Sequence, residues 1–305
     1  MVAEPLLRID LRKVLSRAQL SGLPQSAVRL VELSQDPANG PNEFATPIES
    51  DPGLAGQVLR FVNSSYFGFM REISSVKLAI SLVGVRTIKN FALWSAVFSL
   101  VPNPRCGPFD LKSLWQDSLR RGLFARAAAK CLGVKEAEEA FSAGLLQDMA
   151  VPVLAKELPD VYVRLLAARE QGCLRLSALE QQALGWTHAQ AGGMMARQWN
   201  LPDDFAMLIE SHLAHEAISP RVRRDPRLAA VAMSALLPTV VDPVWHEAAQ
   251  LEALYDQIRP ARTPPLARLL AQVDHEFAGF APIMKVALPS KSLVDWHAEA
   301  AATAS

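Results

Sequence analysis

Six residues in the middle of this 305-residue chain have types that suit chemistry: Asp117, Gln147, Asp148, His188, His212 and His215. Carboxylates and imidazoles that converge from several helices are how helical bundles build metal sites. A metal held there turns a bound water into a hydroxide able to attack a phosphate ester. His212 and His215 stand at i and i+3, one helical turn apart, and so can share a face. Gln147 disturbs the pattern, because a neutral amide oxygen is a poor replacement for imidazole on a transition metal. The plainer reading stands beside this one. Asp148 can be a buried carboxylate that satisfies a helix N-terminus, and the histidines can be hydrogen-bonded core or surface residues.

Other chemistries lack their patterns. There is no Gly-x-x-x-x-Gly-Lys-Ser/Thr, no Gly-x-Gly-x-x-Gly and no Gly-x-Ser-x-Gly. His215–Glu216, His246–Glu247 and His275–Glu276 are His-Glu pairs, but none continues to His-Glu-x-x-His. Thirty-one basic residues balance thirty-one acidic ones, so overall charge favours neither nucleic acid nor an acidic membrane. Cys106, Cys131 and Cys173 form no Cys-x-x-Cys pair and read as free thiols of a reducing compartment. The run from Phe91 to Val101 is too short to cross a bilayer, and the N-terminus lacks a continuous apolar stretch. A cytoplasmic protein is expected, with no cofactor.

The elements that must position these residues are helices. Half the residues are hydrophobic, and they recur at helical rather than strand spacing. Asp51 reads as an N-cap with Pro52 as the first helical residue, Ser74 or Ser75 caps the next helix, and Gly84 stops it. The Pro/Gly-rich segment 101–110 is the clearest linker. Beyond it, GLLQDMAVPVLA from Gly144 to Ala155 reads as a buried helix whose apolar face is interrupted by Gln147–Asp148. Asp160, Thr187 and Asp203 are candidate caps. Two further stretches stand out. NSSYFGF puts Asn63, Tyr66, Phe67 and Phe69 where a helix should stop, either as aromatic plugs over a Gly68 turn or as a surface for a protein partner. RVRRDPR puts Arg221, Arg223, Arg224 and Arg227 together, either as a solvated turn or as a contact for phosphate or an acidic partner.

The segments LPQSAVRLVELSQDP, DPGLAGQVLRFVNSSYFG and ISSVKLAISLVG resemble the start of an HDOD domain, the HD-related output domain of bacterial signalling proteins. The likeness continues through LWQDSLRR, AGLLQDMAVPVLA, HAQAGGMMARQWNLPDDF and IESHLAHE, roughly Gly22 to Glu216. It implies an all-α, irregular multi-helix HD-like bundle in two lobes, about 22–100 and 110–216. A short N-terminal helix (1–21) would precede it, and a helical extension (217–290) and a frayed tail (291–305) would follow. HD phosphohydrolases, the relatives of this family, hold metal through a His, a His-Asp pair and later His residues. By that resemblance Asp117 stands where a His is common, and the His-Asp pair has become Gln147–Asp148. His188 and His212 match or lie near the later His positions. The resemblance therefore implies a remnant site that holds no metal, and a non-catalytic regulator acting through protein contacts. Its partners would include signalling proteins of the diguanylate cyclase or phosphodiesterase type, met in trans. A degenerate phosphohydrolase, or a nucleotide sensor using the old cleft, is the alternative.

Overall fold

The computed structural model describes residues 7–34, 36–64, 66–135, 137–215 and 225–304. Among them no residue lies in a strand, and the fold is all-α. Chain contacts divide the protein into two compact units. One holds residues 21–100 and 278–286, the other residues 1–20, 101–277 and 287–305.

The first unit contains α2 (Gln25–Leu33), α3 (Pro41–Glu49), α4 (Pro52–Val62), α5 (Val76–Val83) and α6 (Val85–Leu100). Asp51 caps α4 by accepting from the Leu54 N–H at 3.0 Å, and Pro52 opens the helix, as expected. Ser75, not Ser74, caps α5, and Gly84 ends it with φ +91°. In NSSYFGF the Asn63 amide grips the Ile73 backbone at both ends, donating at 2.8 Å and accepting at 2.7 Å. Gly68 takes φ +61°, the left-handed conformation that glycine tolerates. Phe67 meets Phe61 edge-on at 5.0 Å, and Tyr66 packs on Phe280 at 4.1 Å. Phe69 is 38% exposed. Asn63, Tyr66 and Phe67 thus tie the loop together, and Phe69 stacks on Phe67 at 6.0 Å with part of its surface exposed.

The second unit opens with α1 (Leu11–Arg17) and continues after the linker. There Asp110 caps α7 (Leu111–Cys131), and α8 (Ala137–Leu146), α9 (Ala150–Glu157) and α10 (Pro159–Ala167) follow. Then come α11 (Leu176–Leu184), α12 (His188–Gln198), α13 (Asp203–Glu210), α14 (Pro226–Ser234) and α15 (Ala248–Ile258). The helix α16 (Leu266–Met284) starts in this unit, and α17 (Leu293–Ala304) closes it.

Three expectations need correction. Gly144 to Ala155 is not one helix: α8 ends at Leu146, and Gln147, Asp148 and Met149 form a turn before α9. Asp160 and Asp203 are not caps but sit inside the first turns of α10 and α13, where a carboxylate still favours the helix dipole. The tail is not frayed, because α17 buries Leu293 and Trp296 completely or nearly so. Residues 225–277 belong to the same contact unit as residues 101–215. No helix among the described residues is long and apolar enough to cross a membrane.

Candidate functional site

Close packing of α7 and α8 creates the site. A methyl group on Gly122 would lie 2.9 Å from the Phe141 carbonyl oxygen, and one on Gly144 would lie 3.0 Å from the Arg121 carbonyl oxygen. Glycine at both positions lets the two backbones approach. The turn after α8 then delivers Asp148 to the face of α7 that carries Arg121.

Asp148 is buried, and Arg121 donates to its Oδ2 in a short ion pair. Its Oδ1 lies 3.2 Å from His188 Nε2 and 3.7 Å from His212 Nε2. His188 is the first residue of α12. Its main-chain N–H and its Nδ1–H both donate to Glu180 Oε2, at 2.8 and 2.6 Å. The Tyr162 hydroxyl donates to the other Glu180 oxygen at 2.7 Å. His212, in the turn after α13, donates Nδ1–H to the Ile209 carbonyl at 2.6 Å. Both rings therefore turn Nε2 inward, and these atoms stand 3.3 Å apart.

Two bare lone pairs at that distance repel, so one ring carries a proton between them. Burial would pull His188 down, but Glu180 and Asp148 lift it to about 10. Burial pushes His212 down to about 3; Asp148 opposes this, while the neighbouring His188 adds to it. His188 is the imidazolium, His212 the neutral acceptor. Burial alone would raise Asp148, but the Arg121 charge and the His188 hydrogen bond hold it well below the usual carboxylate range. Two cations, Arg121 and His188, thus face two carboxylates, Asp148 and Glu180.

The other candidates stand outside this cluster. Asp117 is buried and accepts from the Val240 N–H at 2.9 Å; burial, opposed by Arg121, lifts its carboxyl to about 7. Gln147 is fully buried and accepts from the Ser234 hydroxyl at 3.2 Å. His215 does not join the cluster, and burial lowers it to about 3. Arg221, Arg223 and Arg224 lie outside the described residues. Arg227 is spent on Asp225 and Glu139, so at that position the anion contact is already filled from within. Arg121 and Glu180 are the participants that the sequence reading missed. Arg121 was signalled by its i+4 spacing from Asp117 on one helix; nothing local singled out Glu180.

Asp148, His188 and His212 offer one carboxylate oxygen and two imidazole nitrogens within 4.8 Å of one another. That donor set fits a single transition-metal ion, with both rings oriented through their far nitrogens as metal ligands usually are. The site borders a cavity of about 330 Å³, which Asp117, Arg121, Arg169 and Arg175 also line.

An all-α protein with an aspartate–histidine cluster set among its helices defines the class. Residues 20–215 match the family model of the HDOD domain, and the chain belongs to that family. An uncharacterized protein of Treponema pallidum (strain Nichols) is 25% identical over 198 residues, 64% of this chain and 38% of that protein. The chain thus spans about two fifths of the length of this curated relative. Among solved structures, an HDOD domain protein of unknown function from Geobacter sulfurreducens superposes with a TM-score of 0.73 at 19% identity. The match covers 90% of this chain and 96% of that one. A protein of Shewanella amazonensis SB2B, provisionally named a phosphohydrolase, gives 0.65 at 21% identity over 89% and 96% of the two chains. At such identities the likeness is one of fold.

Proposed function

We propose that this HDOD protein is a signal-transduction regulator that works through protein contacts and turns over no substrate. The observation that carries the reading is the closed charge network around Asp148. One carboxylate oxygen is taken by Arg121 and the other faces the imidazolium of His188. Asp117 is turned to a backbone N–H, and Gln147, where the family resemblance implies a histidine, accepts instead from the Ser234 hydroxyl. A divalent ion added to this neutral cluster would have to expel the His188 proton and compete with Arg121 for the carboxylate. The partners we infer are signalling proteins, those of second-messenger turnover among them, an inference drawn from family membership. The test is a turnover assay of the full chain on p-nitrophenyl phosphate and cyclic dinucleotides with Mn²⁺, Fe²⁺ or Zn²⁺. No product above a protein-free control is expected, and turnover that Asp148→Ala abolishes would overturn the reading.

The three-donor geometry favours one second reading, a residual metal-dependent phosphohydrolase. Asp148, His188 and His212 would hold the ion, which when bound would supply an activated water. Arg121 would then be left to bind the phosphate.

A further inference from the structure

Two walls of the cavity carry opposite charges in register. On one wall, Arg169 follows α10 and Arg175 precedes α11. On the other, the non-helical strap between α14 and α15 carries Asp242 and Glu247. Arg169 pairs directly with Asp242, whose Oδ2 also accepts from the Thr239 hydroxyl at 2.7 Å. A methyl group on Gly172, where φ is +99°, would lie 2.7 Å from the Asp242 carboxyl carbon, so glycine is what lets this carboxylate in. Arg175 and Glu247 stand 3.7 Å apart, beyond hydrogen-bond length. The strap's main chain is tied by the Val240 N–H on Asp117, by Arg175, which donates to the Ala235 carbonyl at 2.7 Å, and by Trp245, whose Nε1–H donates to the Leu236 carbonyl at 2.7 Å. Its tip leaves Val241 and Val244 55% and 51% exposed, and both side chains line the cavity together with Phe109 and Leu114.

We propose that the strap carboxylates stand in for a ligand, and that the cavity binds a small organic phosphate with an apolar body. The phosphate would replace Glu247 on Arg175 and then Asp242 on Arg169, because guanidinium groups bind phosphate through paired, charge-assisted hydrogen bonds. The apolar body would lie against Phe109, Leu114, Val241 and Val244. A cavity of about 330 Å³ is at the small end of ligand sites, which sets the size of that body. Binding would release the strap, converting ligand occupancy into a changed surface. The inference rests on the regulatory reading, since a released strap is a signal rather than a product.

The probe is phenyl phosphate, titrated calorimetrically into the full chain, with inorganic phosphate as the head-only control. D242N/E247Q removes the internal competitor and should bind phenyl phosphate about tenfold tighter than wild type. R169Q/R175Q should not bind it, and inorganic phosphate should bind more weakly to all three proteins. Amide hydrogen exchange across 239–244 should quicken when phenyl phosphate binds wild type. If the double carboxylate variant does not fold, E247Q alone serves, because that contact is loose. Equal affinity in wild type and the carboxylate variant, binding that survives loss of both arginines, or no binding at all would overturn the proposal. Release of phenol would instead overturn the non-catalytic reading on which it rests.

Discussion

Arg121 is a single residue on which the cluster depends. Replacing it by Met leaves Asp148 buried with one partner fewer, and breaking a buried ion pair from one side costs about 3–5 kcal/mol. Urea unfolding of Arg121→Met should show a loss of that order, and a change under about 1 kcal/mol would mean the pair is screened like a surface bridge. Asp117 gives a prediction in pH. Its folded-state value, near 7, lies above the ordinary 3.8, so the folded protein holds a proton there that the unfolded chain has lost. Its contribution is therefore full below about pH 4 and fades as pH rises to 7, at roughly 1.4 kcal/mol per unit at most. Asp117→Asn keeps an oxygen for the Val240 N–H but cannot ionise. Relative to wild type its Tm should climb between pH 4 and 7 and level off above; a flat difference would remove Asp117 from the account. At this scale residue type marked Asp148, His188 and His212, but it marked Asp117, Gln147 and His215 equally, and only the fold separates the first three as a cluster. The sequence marked Arg121 only by its spacing from Asp117 and hid Glu180 altogether, because surface glutamates look the same as buried ones until packing chooses.

At the scale of elements, the contact of α7 with α8 decides where Asp148 goes. Gly144→Ala would press a methyl group to 3.0 Å from both Ala125 Cβ and the Arg121 carbonyl. Overpacking of this kind costs about 1–3 kcal/mol. The variant should melt earlier, and it should unsettle Asp148 more than a neutral change on an exposed face would. Thermal denaturation of Gly144→Ala beside Gly133→Ala separates crowding from backbone strain. Gly133 has φ +81° but open space at its Cβ position. If both lose stability equally, helix crowding is not what sets the site. The helices themselves were legible from spacing and from caps such as Asp51, Ser75 and Gly84. The break at Gln147–Asp148 was not, since an apolar run reads as continuous until a turn is needed to aim a side chain.

For the whole molecule, the all-α class and the family were open to reading, but the tail was not. Its alanine-rich end hides Leu293 and Trp296 at i and i+3, a short stripe that packs into the unit, while Asp274 accepts from the Leu293 and Val294 N–H groups. Burying a leucine contributes about 1.5–3 kcal/mol and tryptophan no less. A chain ending at residue 290 should therefore lose several kcal/mol in urea unfolding, whereas a frayed tail would cost nothing. The central claim is that the Asp148 cluster is closed by its own charges. It is tested most directly by the metal content of the full chain, purified without chelator from cells supplied with iron, manganese and zinc. The account predicts well-folded protein with far less than one ion per chain, unchanged in Asp148→Ala. Near-stoichiometric metal that Asp148→Ala removes would contradict it and make the cluster a working centre.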